Sequence, residues 1–202
     1  MHGQGKSQFK LRKIKKSFTK GNFDILLLQE TRTDGSEKEL NKWQKIFNSK
    51  SIFLTLYGTR AVGTGIVVRC NETFNVHCTF KDPEGRFIGI IGDHDKGKFL
   101  VLSFYSPSVA REIRDFVINS IYEQLINLGK DLPQFQIVGG DTNTVFSNLD
   151  KTGGNLTLKH EAINAFNKIK QRFSLFDSFR VKHPNKREYT WEVLKPTIKE
   201  LT

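Results

Sequence analysis

Two short apolar runs in this chain each stop at a carboxylate. Phe23 to Gln29 (FDILLLQ) delivers Glu30, and Phe135 to Gly140 (FQIVGG) delivers Asp141. Both runs have the length and composition of buried strands. If they lie side by side or in facing sheets, the two acids converge. A hard divalent cation such as Mg²⁺ takes one or two carboxylates together with waters and phosphate oxygens, which suits this supply of oxygen. Asn143 follows Asp141 at two residues and adds a neutral amide that can hold a phosphate oxygen or a carboxylate. Gly139 and Gly140 remove side chains just ahead of the acid, which would let a nucleic-acid backbone come close. Strand ends also carry Asp or Glu simply because the chain emerges into water there. Either acid alone fits that reading; the pair argues for chemistry.

The elements that must position these residues follow from periodicity. Leu11, Ile14 and Phe18 recur at helical spacing, so Lys10 to Lys20 reads as an amphipathic helix, closed by Gly21 and Asn22 and feeding FDILLLQ as a central strand. Ser36 can cap a second helix carrying Leu40, Trp43 and Phe47, with Glu39 placed to complete a capping box. Between Ile52 and Tyr105 the pattern changes to strands, SIFLTLY, GTGIVVRC, FNVHCTF, RFIGIIG and KFLVLSFY, with turn signals between them that predict an antiparallel meander. Ser108 opens a third helix that runs through Leu128 to Gly129, and a fourth spans Leu158 to Arg172. LFDSF and REYTWEV read as short strands. Alternating helices and mainly antiparallel strands predict an α/β sandwich of four layers, α-β-β-α, in one domain over residues 1–202.

Composition narrows the partner. The chain has 202 residues and a formal charge of +11, and residues 1 to 20 carry Lys6, Lys10, Arg12, Lys13, Lys15, Lys16 and Lys20 with no acid. A polyanion such as nucleic acid is favoured over a small neutral substrate. The same lysines would also suit the solvated face of a helix. No apolar run approaches the ~20 residues a bilayer span needs, so no membrane partner is expected. Two cysteines, Cys70 and Cys78, flank a hairpin turn in a chain with no signal-peptide pattern, and they read as reduced in an intracellular protein.

LLLQET (Leu26 to Thr31), SFYSPS (Ser103 to Ser108), IVGGDTNT (Ile137 to Thr144) and FDSFRVKHPNKREYTW (Phe176 to Trp191) resemble, in order, motifs of the endonuclease domain of non-LTR (long interspersed) retrotransposons. That family belongs to the exonuclease-endonuclease-phosphatase superfamily, with apurinic/apyrimidinic endonuclease and pancreatic deoxyribonuclease. The resemblance implies a Mg²⁺-dependent DNA endonuclease, with Mn²⁺ as an alternative metal. Such a domain nicks DNA and leaves a 3′-hydroxyl for a reverse transcriptase domain encoded downstream. By the same resemblance Glu30 is the metal-binding glutamate and Tyr105 hydrogen-bonds near the scissile phosphate. Asp141 orients or activates the attacking water, Asn143 holds the phosphate, and Thr190 contacts the substrate backbone. A DNA target implies the nucleus.

The chain departs from the family pattern at both ends. The first strand with its asparagine and the C-terminal Ser-Asp-His triplet have no counterpart in this sequence. The expectation is therefore a domain truncated at both ends, with little or no nuclease activity. A non-catalytic nucleic-acid-binding remnant, held by the basic first helix with Lys182, Lys186 and Arg187, and a phosphatase of the same superfamily are the alternative readings.

Overall fold

A computed structural model describes residues 4–34, 36–49, 51–55, 62–69, 74–150 and 158–188. Among the described residues seven strands form two sheets. β1 (Ile25–Gln29), β2 (Ile52–Leu54) and β3 (Thr64–Val68) make an antiparallel sheet in the order β1-β3-β2. β4 (Asn75–Lys81), β5 (Phe87–His94), β6 (Gly97–Tyr105) and β7 (Phe135–Asp141) make the other in that order, with only β6 and β7 parallel. The meander expected from Ile52 to Tyr105 is thus divided, its first two strands sharing a sheet with β1 and its last three sharing one with β7. β1 is an edge strand among the described residues, not a central one, because β3 takes the middle place.

Period-2 alternation decides which side chains enter which layer. Ile66 and Val68 of β3, Ile88 and Ile90 of β5, and Phe99 and Val101 of β6 interlock between the sheets. Their alternates face outward onto helices. Val67 and Leu28 pack with Leu11 and Phe18 of α1 (Gln4–Lys20) and with Trp43 and Phe47 of α2 (Glu37–Phe47). On the far side Leu100, Leu102 and Phe104 meet Ile113, Phe116, Val117, Ile121 and Leu125. Those five belong to a continuous helical stretch of α3 (Ala110–Phe116), a π-helical segment (Val117–Tyr122) and α4 (Glu123–Leu128). Ala162, Ala165, Phe166 and Ile169 of α5 (His160–Arg172) complete that layer. The result is the expected four-layered α-β-β-α sandwich.

Three local expectations are corrected. LFDSF is not a strand: the Asp177 carboxylate accepts from the backbone N–H groups of Phe179 and Arg180, at 3.0 Å each, and so caps a short helix, α6 (Ser178–Lys182). Ser36 does cap α2, accepting from the Glu39 N–H at 3.2 Å, but the capping box is half made. The Glu39 carboxylate goes to Lys42 (3.1 Å), and the Ser36 N–H donates to Asp34 instead. Val109, not Ser108, is the cap residue of α3, and it supplies no side-chain bond. Cys78 is exposed and free, whereas Cys70 lies outside the described residues. No described helix is long and apolar enough to cross a membrane.

Candidate active site at the strand ends

β1, β6 and β7 terminate together. Phe99 to Tyr105 runs in parallel register with Phe135 to Asp141, so Tyr105 and Asp141 are neighbours at the last rung of the ladder. β1 reaches the same end from the facing sheet. Ser103 is fully buried between them, accepting from the Gln29 side chain (3.3 Å) and donating to the Leu28 carbonyl (3.3 Å). These bonds tie the sheets two rungs before the site.

Glu30 is aimed by a backbone irregularity. β1 pairs Gln29 with Thr64, but the next bond runs from the Thr31 N–H to the Gly63 carbonyl at 3.0 Å, so the ladder slips by one residue and Glu30 is passed over, as in a bulge. Glu30 accordingly has φ +52° and Arg32 φ +49°, conformations that cost a non-glycine residue about 1–3 kcal/mol. The strain turns the Glu30 side chain toward β6. There the Tyr105 hydroxyl donates to Glu30 Oε1 at 3.1 Å, and Arg32 pairs with Oε2 at 3.0 Å. Burial, and then the hydrogen bond and charge of Glu30, push the Tyr105 phenol above its ordinary value of 10.0. It is therefore a protonated donor at neutral pH.

Asp141 begins an Asx turn. Its Oδ1 accepts from the Asn143 N–H (2.9 Å), with Asn143 at φ +46°, and its carbonyl accepts from the Ser106 N–H (2.9 Å). The Asn143 side-chain amide donates to the Ser106 carbonyl at 2.7 Å, next to Tyr105 in the chain. Glu30, Tyr105, Asp141 and Asn143, predicted from the sequence, are thus brought into one cluster. Thr190 lies outside the described residues.

The two glycines have a different explanation from the one the sequence suggested. A Cβ on Gly140 would lie 2.0 Å from the Phe104 carbonyl oxygen, and one on Gly139 would lie 2.7 Å from Leu27. The space they leave is taken by β6 and β1 of the protein itself, and not by a ligand.

Three basic residues at this end escaped sequence reasoning. Besides Arg32 on Glu30, Arg86 lies 6.0 Å from the Tyr105 ring and donates to the Tyr105 carbonyl. The Lys159 ammonium donates to the carbonyls of Asn143 (2.6 Å) and Ser108 (2.7 Å), pinning the loop after Asp141 against the entry to α3. No sequence signal pairs Lys159 with a loop on the far side of a polar segment. Only the sequence TRT after QE hints at Arg32, by its closeness to the acid.

The donor set suits a hard cation. Glu30 and Asp141 offer carboxylate oxygens from separate strands, and the Glu30 side chain is 45% exposed. Among the described residues no group of three or more His, Cys, Asp or Glu could form a closed cage. Carboxylate oxygens of this kind are ligands that a hard cation such as Mg²⁺ takes together with waters.

The fold is a four-layered α/β sandwich with a carboxylate-tyrosine cluster at the strand ends, and solved exonuclease-endonuclease-phosphatase proteins share that fold. The chain is similar to the solved AP endonuclease LMAP from Leishmania major, with a TM-score of 0.67 at 18% identity over 89% of this chain and 67% of that one. The Xenopus laevis APE2 catalytic domain gives 0.60 at 16% identity, over 88% of this chain and 70% of that one. TDP2 from C. elegans gives 0.51 at 18% identity over 68% of this chain, which spans only 43% of its length. Identities this low make the fold the shared property. No family model matches the sequence.

Proposed function

We propose that this chain is a Mg²⁺-dependent phosphodiesterase acting on DNA, of the non-LTR retrotransposon endonuclease type. The observation that carries the reading is the 3.1 Å contact of the Tyr105 hydroxyl with Glu30, made beside Asp141 on the adjoining strand. The net charge of +11 and the AP endonucleases among the similar folds support a DNA substrate over a small phosphate ester. The four motifs in retrotransposon order support the finer type. A DNA substrate places the work in the nucleus and supplies a primer end to a reverse transcriptase.

In this reading Glu30 would hold the cation. Mg²⁺, when bound, would neutralise charge on the phosphate and on the leaving oxygen. Asp141 orients a water and accepts its proton as the water oxygen bonds to phosphorus and the bond from phosphorus to O3′ breaks; the freed O3′ takes a proton from solvent, giving a 3′-hydroxyl and a 5′-phosphate. Tyr105, protonated, donates to the carboxylate or to a non-bridging phosphate oxygen. Arg32 and Arg86 supply charge complementary to the backbone, and Asn143 fixes Asp141 through its N–H and the Ser106 carbonyl through its side chain.

Among the described residues no histidine shares a hydrogen bond with the cluster. A positioned general acid or base is worth about 10²–10⁴ in rate, so cleavage by these residues alone is expected to be slow. The test is an end-labelled duplex incubated in Mg²⁺, with the product offered to a DNA polymerase. Extendable 3′-hydroxyl ends are the expected result. Ends that extend only after phosphatase treatment, or release of terminal phosphate without chain scission, would contradict the reading.

A further inference from the structure

The outer face of α1 carries a feature that the strand-end site does not use. On a helix of about 100° per residue, Phe9, Lys13, Lys16 and Lys20 fall on one stripe, with Arg12 at its margin. All five are exposed, Phe9 by 61%. Leu11 and Phe18, with Ile14 between them, lie about 180° away and are packed into the core against Trp43 and Phe47. The apolar face is therefore already spent, and α1 cannot turn it into a membrane. No acid lies anywhere in the helix.

Phe9 sits ill with a merely solvated face. A large aromatic ring stands in water on the side opposite the core, and the Lys13 ammonium lies 4.6 Å from its centroid. An aromatic platform edged by cations spaced three or four residues apart is the arrangement on which an unpaired base stacks while its phosphates are neutralised. From Phe9 to Lys20 the stripe extends about 16 Å, the reach of a few nucleotides.

We propose that the Phe9, Arg12, Lys13, Lys16 and Lys20 stripe of α1 binds single-stranded nucleic acid at a site separate from the Glu30–Tyr105–Asp141 cluster. The exposed ring chooses single strands over duplex, because a paired base offers it no free face. DNA and RNA share this chemistry.

The test is fluorescence anisotropy of the full chain carrying Asp141→Ala, in chelator, so that the result is independent of any nuclease activity. The probes are labelled oligothymidylate, labelled oligouridylate, a duplex of matched length, and vesicles of mixed phosphatidylcholine and phosphatidylserine. Phe9→Ala is expected to weaken binding of both single strands about tenfold and leave the salt dependence unchanged. Lys13→Gln/Lys16→Gln/Lys20→Gln is expected to make the slope of log K against log salt shallower by about 2, from roughly 0.7 per phosphate contact. The two single-stranded probes then report whether DNA or RNA is preferred. Unchanged affinity and slope in both variants, no binding by the parent chain, a silent Phe9→Ala with duplex bound more tightly, or stripe-dependent binding to vesicles above that to the oligonucleotides would each overturn the proposal.

Discussion

Tyr105 is where the two sheets exchange chemical information. Its hydroxyl spans from β6 to the carboxylate that the bulged end of β1 presents, and its proton is held by burial first and by Glu30 second. A phenol whose folded value is raised contributes stability that is present below the ordinary value near 10 and lost as pH rises through the folded value. Ultraviolet difference titration of the wild type against Tyr105→Phe isolates this one group among four tyrosines. Its titration is expected to lie above 10 and to move back toward that value in Glu30→Gln, where the negative charge is gone but the burial remains. An unshifted titration in Glu30→Gln would mean the contact is not made in solution. Glu30, Asp141 and Asn143 stood out because strand ends and turn residues leave a mark in a linear sequence, whereas Tyr105 was singled out only by the family resemblance. Arg32, Arg86 and Lys159 were not legible, because an arginine or lysine chooses its partner only after the layers have assembled.

At the scale of elements, turns and caps show where local rules hold and where tertiary contacts override them. Strand ends from Thr64 to Tyr105 followed from alternation and turn signals. LFDSF failed because its aspartate could satisfy two backbone N–H groups as a helix cap, a choice that composition alone does not rank against a strand. Arg180 of that helix pairs with Asp150 and donates to the Lys186 carbonyl at 2.7 Å, tying α6 to the loop beyond β7. The β4–β5 turn offers a sharper test. Asp82 accepts from the Phe87 N–H at 2.8 Å, yet burial raises its pKa above the ordinary 3.8 in spite of that bond. A raised carboxyl contributes stability below its unfolded value that is lost as pH rises through the folded one. Asp82→Asn keeps an acceptor and removes the buried charge. Its Tm relative to wild type should therefore be more favourable near pH 7 than near pH 3; the opposite trend in thermal melts would show that the hydrogen bond to the carboxylate outweighs its desolvation.

The whole molecule rests on the interlock between the two sheets, since that layer fixes β1 against β6 and β7 and so fixes the site. Ile90 is fully buried there, among Ile66, Val68, Ile88, Phe99 and Val101. Ile90→Ala is expected to cost about 3 kcal/mol in denaturant unfolding, the scale of a buried large-to-small change with its cavity. A cost below about 1 kcal/mol would mean that the layer is not closely packed. The layered architecture was readable from the sequence because helical and period-2 patterns alternate along the chain. Which strands share a sheet was not, because β1, β2 and β3 differ from β4, β5 and β6 in pairing partners and not in pattern. The central claim is that the converged strand ends form a metal-assisted hydrolytic site. The most direct measurement is nicking of supercoiled plasmid by the purified chain in Mg²⁺ and in chelator, beside Asp141→Ala. Slow nicking that needs Mg²⁺ and is lost in Asp141→Ala is the predicted result; no nicking by a chain shown to be folded and DNA-bound, or nicking that survives Asp141→Ala, would contradict it.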